Sequence, residues 1–109
     1  MFLSKNAIIS KEKLTHYLLI LLPKDDKSKF LAKAGYTLSH WRQLEQDLRT
    51  QVLSQPAEFV ETTRYGKKYA IRARLCGING VTLNVLTVWI VENEMARFVT
   101  LVPDKGVSP

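Results

Sequence analysis

Arg64, Lys67, Lys68, Arg72 and Arg74 fall between Thr62 and Val91, and no acidic residue interrupts them. Tyr65, Thr87, Trp89 and Arg97 lie within or close to the same stretch. Side chains of these types can handle a phosphodiester without a carboxylate. Cleaving RNA without a metal needs a base for the 2′-hydroxyl proton, an acid for the leaving 5′-oxygen, and cations for the charged phosphorane. Tyrosine can move the protons, and arginine and lysine supply the charge. A base stacked on Trp89 suits a single strand. Each residue also has an ordinary reading. Tyr65 before Gly66 fits a turn, and Thr87 is common strand composition. A tryptophan such as Trp89 more often packs a core than stacks a base, and Arg72 alternates with Arg74 as on any solvated strand face.

The whole chain supports a basic surface. Its 109 residues hold 16 Lys+Arg against 10 Asp+Glu, a net charge of +6. That balance favours polyanions, anionic surfaces or an acidic partner, and it also serves plain solubility. A hydrophobic content of 46% argues against disorder. The lone Cys76 cannot form an intramolecular disulfide and reads as a small strand filler. The apolar run near Tyr17–Pro23 falls far short of the roughly 20 residues that span a bilayer. Lys5 and Asn6 interrupt the apolar Met1-Phe2-Leu3, so no signal peptide is expected, and the expected compartment is the cytoplasm.

Other chemistries lack their residues. There is no Gly-rich phosphate loop and no nucleophile elbow. His16 and His40 are not spaced as a metal-binding pair, and one cysteine builds no thiolate cluster. Neither a metal nor any other cofactor is expected. Asp25 and Asp26 read better as a helix cap than as cation ligands.

The elements that must position the basic residues divide the chain into a helical half, 10–53, and a sheet half, 57–103, within one domain. Ser10 is placed to cap a helix whose stripe is Leu14, Tyr17, Leu18 and Leu21, stopped by Pro23. Asp26 is placed to cap a second helix with Phe30, Leu31 and Ala34 inward and Gly35 at its C-terminal turn. Thr37 or Ser39 opens a third, with Trp41, Leu44, Leu48 and Val52 inward and Glu45–Arg49 paired outside. Strands follow over 57–64, 67–77, 81–91 and 95–102, with short turns that imply an antiparallel meander. The fold class is therefore α+β: three N-terminal helices on one face of a four-stranded sheet.

Asn79-Gly80 predicts a two-residue type I′ turn. That turn sets Arg74 opposite Val85, Arg72 opposite Thr87 and Ala70 opposite Trp89. Two arginines, a threonine and a tryptophan then share an open face. Tyr69, Ile71, Ala73, Leu86, Val88 and Ile90 form the inner one. A slip of one residue would exchange the faces.

Three stretches together carry a resemblance. They are Lys13-Leu14 with Tyr17-Leu18-Leu19; Lys27, Phe30, Ala34-Gly35-Tyr36, Trp41 and Leu44; and Thr63-Arg64-Tyr65-Gly66 through Tyr69, Gly77, Asn79-Gly80, Thr87-Val88-Trp89-Ile90, Arg97-Phe98-Val99-Thr100 and Pro103. The set resembles a family of small bacterial proteins known only as a domain of unknown function. Members look like components of toxin–antitoxin or polymorphic-toxin systems, often beside a small partner. Their order of helices then strands is similar to the barnase–EndoU–colicin–RelE group of ribonucleases, a likeness of fold order alone. The chain departs from the family pattern at Arg64, where relatives commonly carry Pro. It departs again at Pro23-Lys24-Asp25-Asp26, where many carry a His-containing, Gly-rich segment.

The resemblance implies Lys27, Tyr65, Thr87, Trp89, Arg97 and Thr100 as site positions. On a ribonuclease reading Lys27 and Arg97 stabilise phosphate charge, Tyr65 moves a proton and Thr87 orients the phosphate. Arg64, Lys67, Lys68, Arg72, Arg74 and Trp89 would bind the nucleic acid. Three readings follow: a ribonuclease-type toxin component acting on single-stranded RNA, a non-catalytic module that binds RNA or a small acidic partner protein, and a face used for self-association.

Overall fold

The computed structural model describes residues 1–24 and 27–105. Helix α1, Lys11–Lys13, runs directly into a π-helical turn, Leu14–Leu18. Leu14 and Leu18 are four apart on one face, and both are fully buried. Ser10 holds the N-cap position, but its hydroxyl donates to Glu12 Oε2 at 2.8 Å and caps nothing. Helix α2, Ser28–Ala32, follows; the cap expected at Asp26 lies outside the described residues. Gly35 sits beyond α2 at φ 90°, the left-handed position that only glycine takes without strain. Thr37 starts the next helical stretch with a reciprocal cap, its hydroxyl 2.8 Å from His40 Nδ1. A 3-10 turn, Leu38–His40, leads into α3, Trp41–Asp47, which a second π-helical turn, Leu48–Val52, extends.

The helical half therefore differs from three comparable helices. Among the described residues, two stretches reach 7 residues or more, and α2 between them has 5. The reason lies in the apolar spacing around Phe30. Leu31 and Ala34 are buried, but Gly35 ends the segment before a second full turn of apolar contacts accumulates. No helix among the described residues is long and apolar enough to cross a membrane.

Four strands complete the α+β fold as an antiparallel meander in the order β1-β2-β3-β4. They are β1 Glu58–Thr63, β2 Gly66–Cys76, β3 Thr82–Glu92 and β4 Met95–Pro103. Bulges interrupt β1 between Phe59 and Glu61 and the β3–β4 ladder at Val88/Trp89. Residues near Ile8 add a short parallel bridge to β4 at Arg97, with the Ile8 N–H donating to Ala96 O and the Phe98 N–H to Ile8 O.

The β2–β3 register corrects the expected one. Tyr69 faces Trp89, Ile71 faces Thr87, and Arg74 faces Asn84. The hairpin loop has three residues, Ile78-Asn79-Gly80. The Gly77 N–H donates to Val81 O at 2.9 Å, and Gly80 alone takes a positive φ, 85°. This is the three-residue alternative in which glycine holds the left-handed position. Its selection has a tertiary cause. Asn79 donates through Nδ2 to Lys33 O and through its N–H to Ala34 O, which docks the loop on the end of α2. The two-residue turn with positive φ at both centres occurs instead at Asn93-Glu94, φ 51° and 64°.

The extra loop residue turns β3 over relative to β2. Leu83, Val85, Thr87 and Trp89 face the helices together with Tyr69, Ile71 and Leu75. Leu86, Val88 and Ile90 move to the opposite face. The core then joins the two π-helical turns, α2, α3 and the sheet through Leu14, Leu18, Leu31, Leu44, Leu48, Val52, Phe98 and Leu101. Trp89 and Phe98 meet edge to face, with ring centres 5.3 Å apart.

Candidate functional site

The face of the sheet turned away from α3 carries a groove of about 530 Å3. Val88, Ile90 and Val99 contribute to its apolar floor, together with Ile8 from the segment bridged to β4. The β1–β2 turn makes one wall with Thr63, Arg64 and Tyr65, and Ser10 and Lys13 make another. Lys13, Arg64, Lys68 and Arg97 bring four cationic side chains to the lining, and no carboxylate lines it among the described residues.

Local structure explains these placements. Thr63 clamps its turn by accepting the Tyr65 N–H at 3.1 Å and donating to Gly66 O at 2.8 Å. Gly66 takes φ 136°, and a Cβ there would lie 2.5 Å from Val91 O, so the turn lies hard against β3. Tyr65 is exposed at the rim, and Arg64 Nη2 donates to its hydroxyl at 2.8 Å. Arg97 is exposed, and its side chain makes no hydrogen bond or ion pair among the described residues. Lys68 has only a long pairing, 3.7 Å, with the exposed Glu61.

A second cluster adjoins the groove at β4. Lys27 Nζ donates to the Tyr17 hydroxyl at 2.8 Å, and that hydroxyl shares a 3.0 Å hydrogen bond with Thr100 Oγ1. The ammonium of Lys27 stands 4.9 Å from the Tyr17 ring centre, and that of Lys13 stands 5.4 Å away. Burial pushes the Tyr17 phenol up, but the hydrogen bonds to Lys27 and Thr100 and the charges of Lys27 and Lys13 outweigh it. The phenol is held below its ordinary value. Lys13 lines the groove, and Thr100 follows the groove residue Val99, so cluster and groove are contiguous.

Of the residues expected at a site, Arg64, Tyr65, Lys68 and Arg97 come together in the groove, and Lys27 and Thr100 meet at Tyr17. The others do not join them. Thr87 and Trp89 are fully buried, which corrects their placement on the open face. Thr87 donates to Ile71 O at 3.1 Å and accepts from Trp89 Nε1 at 2.8 Å, so both satisfy each other inside the core. Neither can touch a phosphate or stack a base. Lys67 lines a different depression, with Met1, Phe2 and Glu94. Arg72 is paired with Asp104 at 2.5 Å. Arg74 is exposed on the same strand but lies outside the groove lining.

Sequence reading missed Lys13 and Tyr17 as site residues. Tyr17 fits the apolar stripe with Leu14, Leu18 and Leu21, yet Lys13 and Tyr17 are four apart, a spacing that brings a cation to a ring.

A family model described as a domain of unknown function (DUF6883) matches residues 4–105. No curated protein and no solved structure is significantly similar to the chain.

Proposed function

Since the chain belongs to the DUF6883 family, an uncharacterised domain, we propose from its own geometry that the groove binds single-stranded RNA and cleaves its backbone by metal-independent transesterification. The observation that carries this reading is the lining by four cations, with no carboxylate among the described lining residues. Anionic phosphates gain from each of these cations, and the one carboxylate paired with them among the described residues, Glu61 at Lys68, is exposed and at a long 3.7 Å. The unpaired Arg97 guanidinium is the best donor to a phosphorane, because no protein acceptor has to be given up first. Arg64 donates to the Tyr65 oxygen, which leaves the Tyr65 O–H proton free for a leaving 5′-oxygen. Val88, Ile90 and Ile8 offer an apolar floor for a base in place of Trp89.

Under the same proposal the protein is the toxin component of a toxin–antitoxin-type module. A small acidic partner would neutralise it by covering the groove. The resemblance of the three sequence stretches supports this part.

Binding is tested by fluorescence anisotropy with a labelled single-stranded RNA over a range of salt. The reading predicts that log affinity falls with log salt by about 0.7 per phosphate contacted. Arg97→Ala and Lys68→Ala should each weaken binding and flatten that slope. Affinity indifferent to salt and to both substitutions would contradict it.

The apolar floor favours one other reading, a docking site for an acidic protein segment with no catalysis. In that case an acidic peptide competes for the groove and RNA stays intact.

A further inference from the structure

We propose that Tyr17 is the proton acceptor of this site: its hydroxyl, held by Lys27 and Thr100 at the β4 side of the groove, takes the proton from the attacking 2′-hydroxyl. The proposal rests on the ribonuclease reading and adds a residue to it.

Tyr17 is built differently from a structural tyrosine, and Tyr36 in the same chain supplies the comparison. The Tyr36 hydroxyl donates to the Asp47 carboxylate at 2.5 Å, which keeps its proton in place. Tyr17 faces the opposite partners. A lysine ammonium donates to its oxygen, and a second ammonium stands near its ring. Among the described residues, the charged or titratable groups facing it are Lys13 from its own helix and Lys27 from the segment before α2. Thr100 adds a hydroxyl from β4. Each of these favours a phenolate over a phenol. Both ammoniums also lie near the ring, where cation–π attraction adds a little stability, but it is the Lys27 donation to the oxygen that favours the anion.

The 2′-O–H bond breaks, and its proton goes to the Tyr17 phenolate. The 2′-oxygen bonds to phosphorus, and the bond from phosphorus to the 5′-oxygen breaks. The 5′-oxygen takes the Tyr65 proton, and both tyrosines then re-equilibrate with solvent. The products are a 2′,3′-cyclic phosphate and a 5′-hydroxyl. Lys27 is a positioning residue here: it fixes the phenol oxygen and stabilises its anion.

The test is the pH profile of cleavage of a labelled single-stranded RNA by wild type, Tyr17→Phe and Lys27→Met, beside their near-ultraviolet tyrosinate titrations. Tyr17→Phe should bind RNA as wild type does and lose cleavage by about 100-fold or more. The tyrosine missing from its titration should be one that ionises below the ordinary phenol range. Lys27→Met should move the rising limb of the rate profile to higher pH, a displacement that mere loss of packing would not produce. Wild-type cleavage that survives in Tyr17→Phe overturns the assignment and leaves the ribonuclease reading standing. So does a missing tyrosine that ionises at or above the ordinary value. Absence of cleavage by wild type at every pH overturns both.

Discussion

Gly77 and Val81 close the β2–β3 hairpin as a hydrogen-bonded pair, the Gly77 N–H donating to the Val81 carbonyl at 2.9 Å. Three residues remain between them, and that count decides which face of β3 meets the helices. Thr87 and Trp89 go into the core, and Val88 and Ile90 become the floor of a basic groove. One residue fewer would have reversed both outcomes.

Gly77 also fixes how closely this hairpin approaches α2. A Cβ on Gly77 would lie 2.1 Å from Ala34 O and 2.4 Å from Ala34 Cβ. Backbone has to move to make room, at a cost of roughly 1–3 kcal/mol or more. Gly77→Ala should lower the urea midpoint clearly, whereas Gly80→Ala meets no atom within 4 Å and suffers only from its φ of 85°. Equal midpoints for Gly77→Ala and wild type would contradict the close docking.

Thr87→Val tests the buried position directly. It removes the acceptor of Trp89 Nε1–H and the donor to Ile71 O. Leaving a buried donor unpaired costs about 1–3 kcal/mol. Denaturant unfolding should show that loss, and RNA affinity measured under native conditions should stay at the wild-type value. A residue on the open face would give the reverse: affinity lost and stability kept.

Arg72 and Arg97 should separate in binding. Arg72 is already engaged by Asp104, whose side chain is only 4% exposed. Arg97 is unengaged. Arg72→Ala is therefore expected to change RNA affinity by less than about twofold, and Arg97→Ala by about tenfold or more, as read by anisotropy at one salt concentration. Comparable losses in the two variants would move the RNA path out of the groove and along β2.

Alkaline stability should depend on Tyr36. Burial, with the hydrogen bond to Asp47 and the charge of that carboxylate, pushes the Tyr36 phenol well above its ordinary 10.0. Above about pH 10 the unfolded chain loses a proton that the folded chain keeps, so stability falls as pH rises through that range. Tyr36→Phe should remove this fall, although it loses stability at neutral pH with the hydrogen bond to Asp47. Tyr17 carries the opposite sign. Its phenol is held low, so it adds stability as pH rises from its folded value towards 10. Urea midpoints for both variants, measured at about pH 8 and about pH 11, check the two signs.

Much of the architecture was legible because it follows from local chemistry. The strand bounds emerged from turn residues and apolar runs, and Glu45–Arg49 formed the expected pair at 2.9 Å. The inner face of β2 is legible from Tyr69, Ile71 and Ala73, which all pack on the core. The faces of β3 are not, because Asn79-Gly80 suits both a two-residue and a three-residue loop. The choice came from contacts with Lys33 and Ala34, more than 40 residues earlier in the chain. Within the site, Arg64, Tyr65, Lys68 and Arg97 could be named from type and spacing. Tyr17 could not, because an apolar stripe accepts a tyrosine without showing where its hydroxyl goes. Only the folded chain brings Lys27 and Thr100 to that hydroxyl.

Cleavage itself decides whether the groove is a ribonuclease site. Purified protein would be incubated with end-labelled single-stranded RNA in EDTA, beside Arg97→Ala, and the product ends analysed. Wild type should give fragments ending in 2′,3′-cyclic phosphate, and the variant a rate lower by about 100-fold or more. Intact RNA from both, or equal cleavage by both, would contradict the ribonuclease reading.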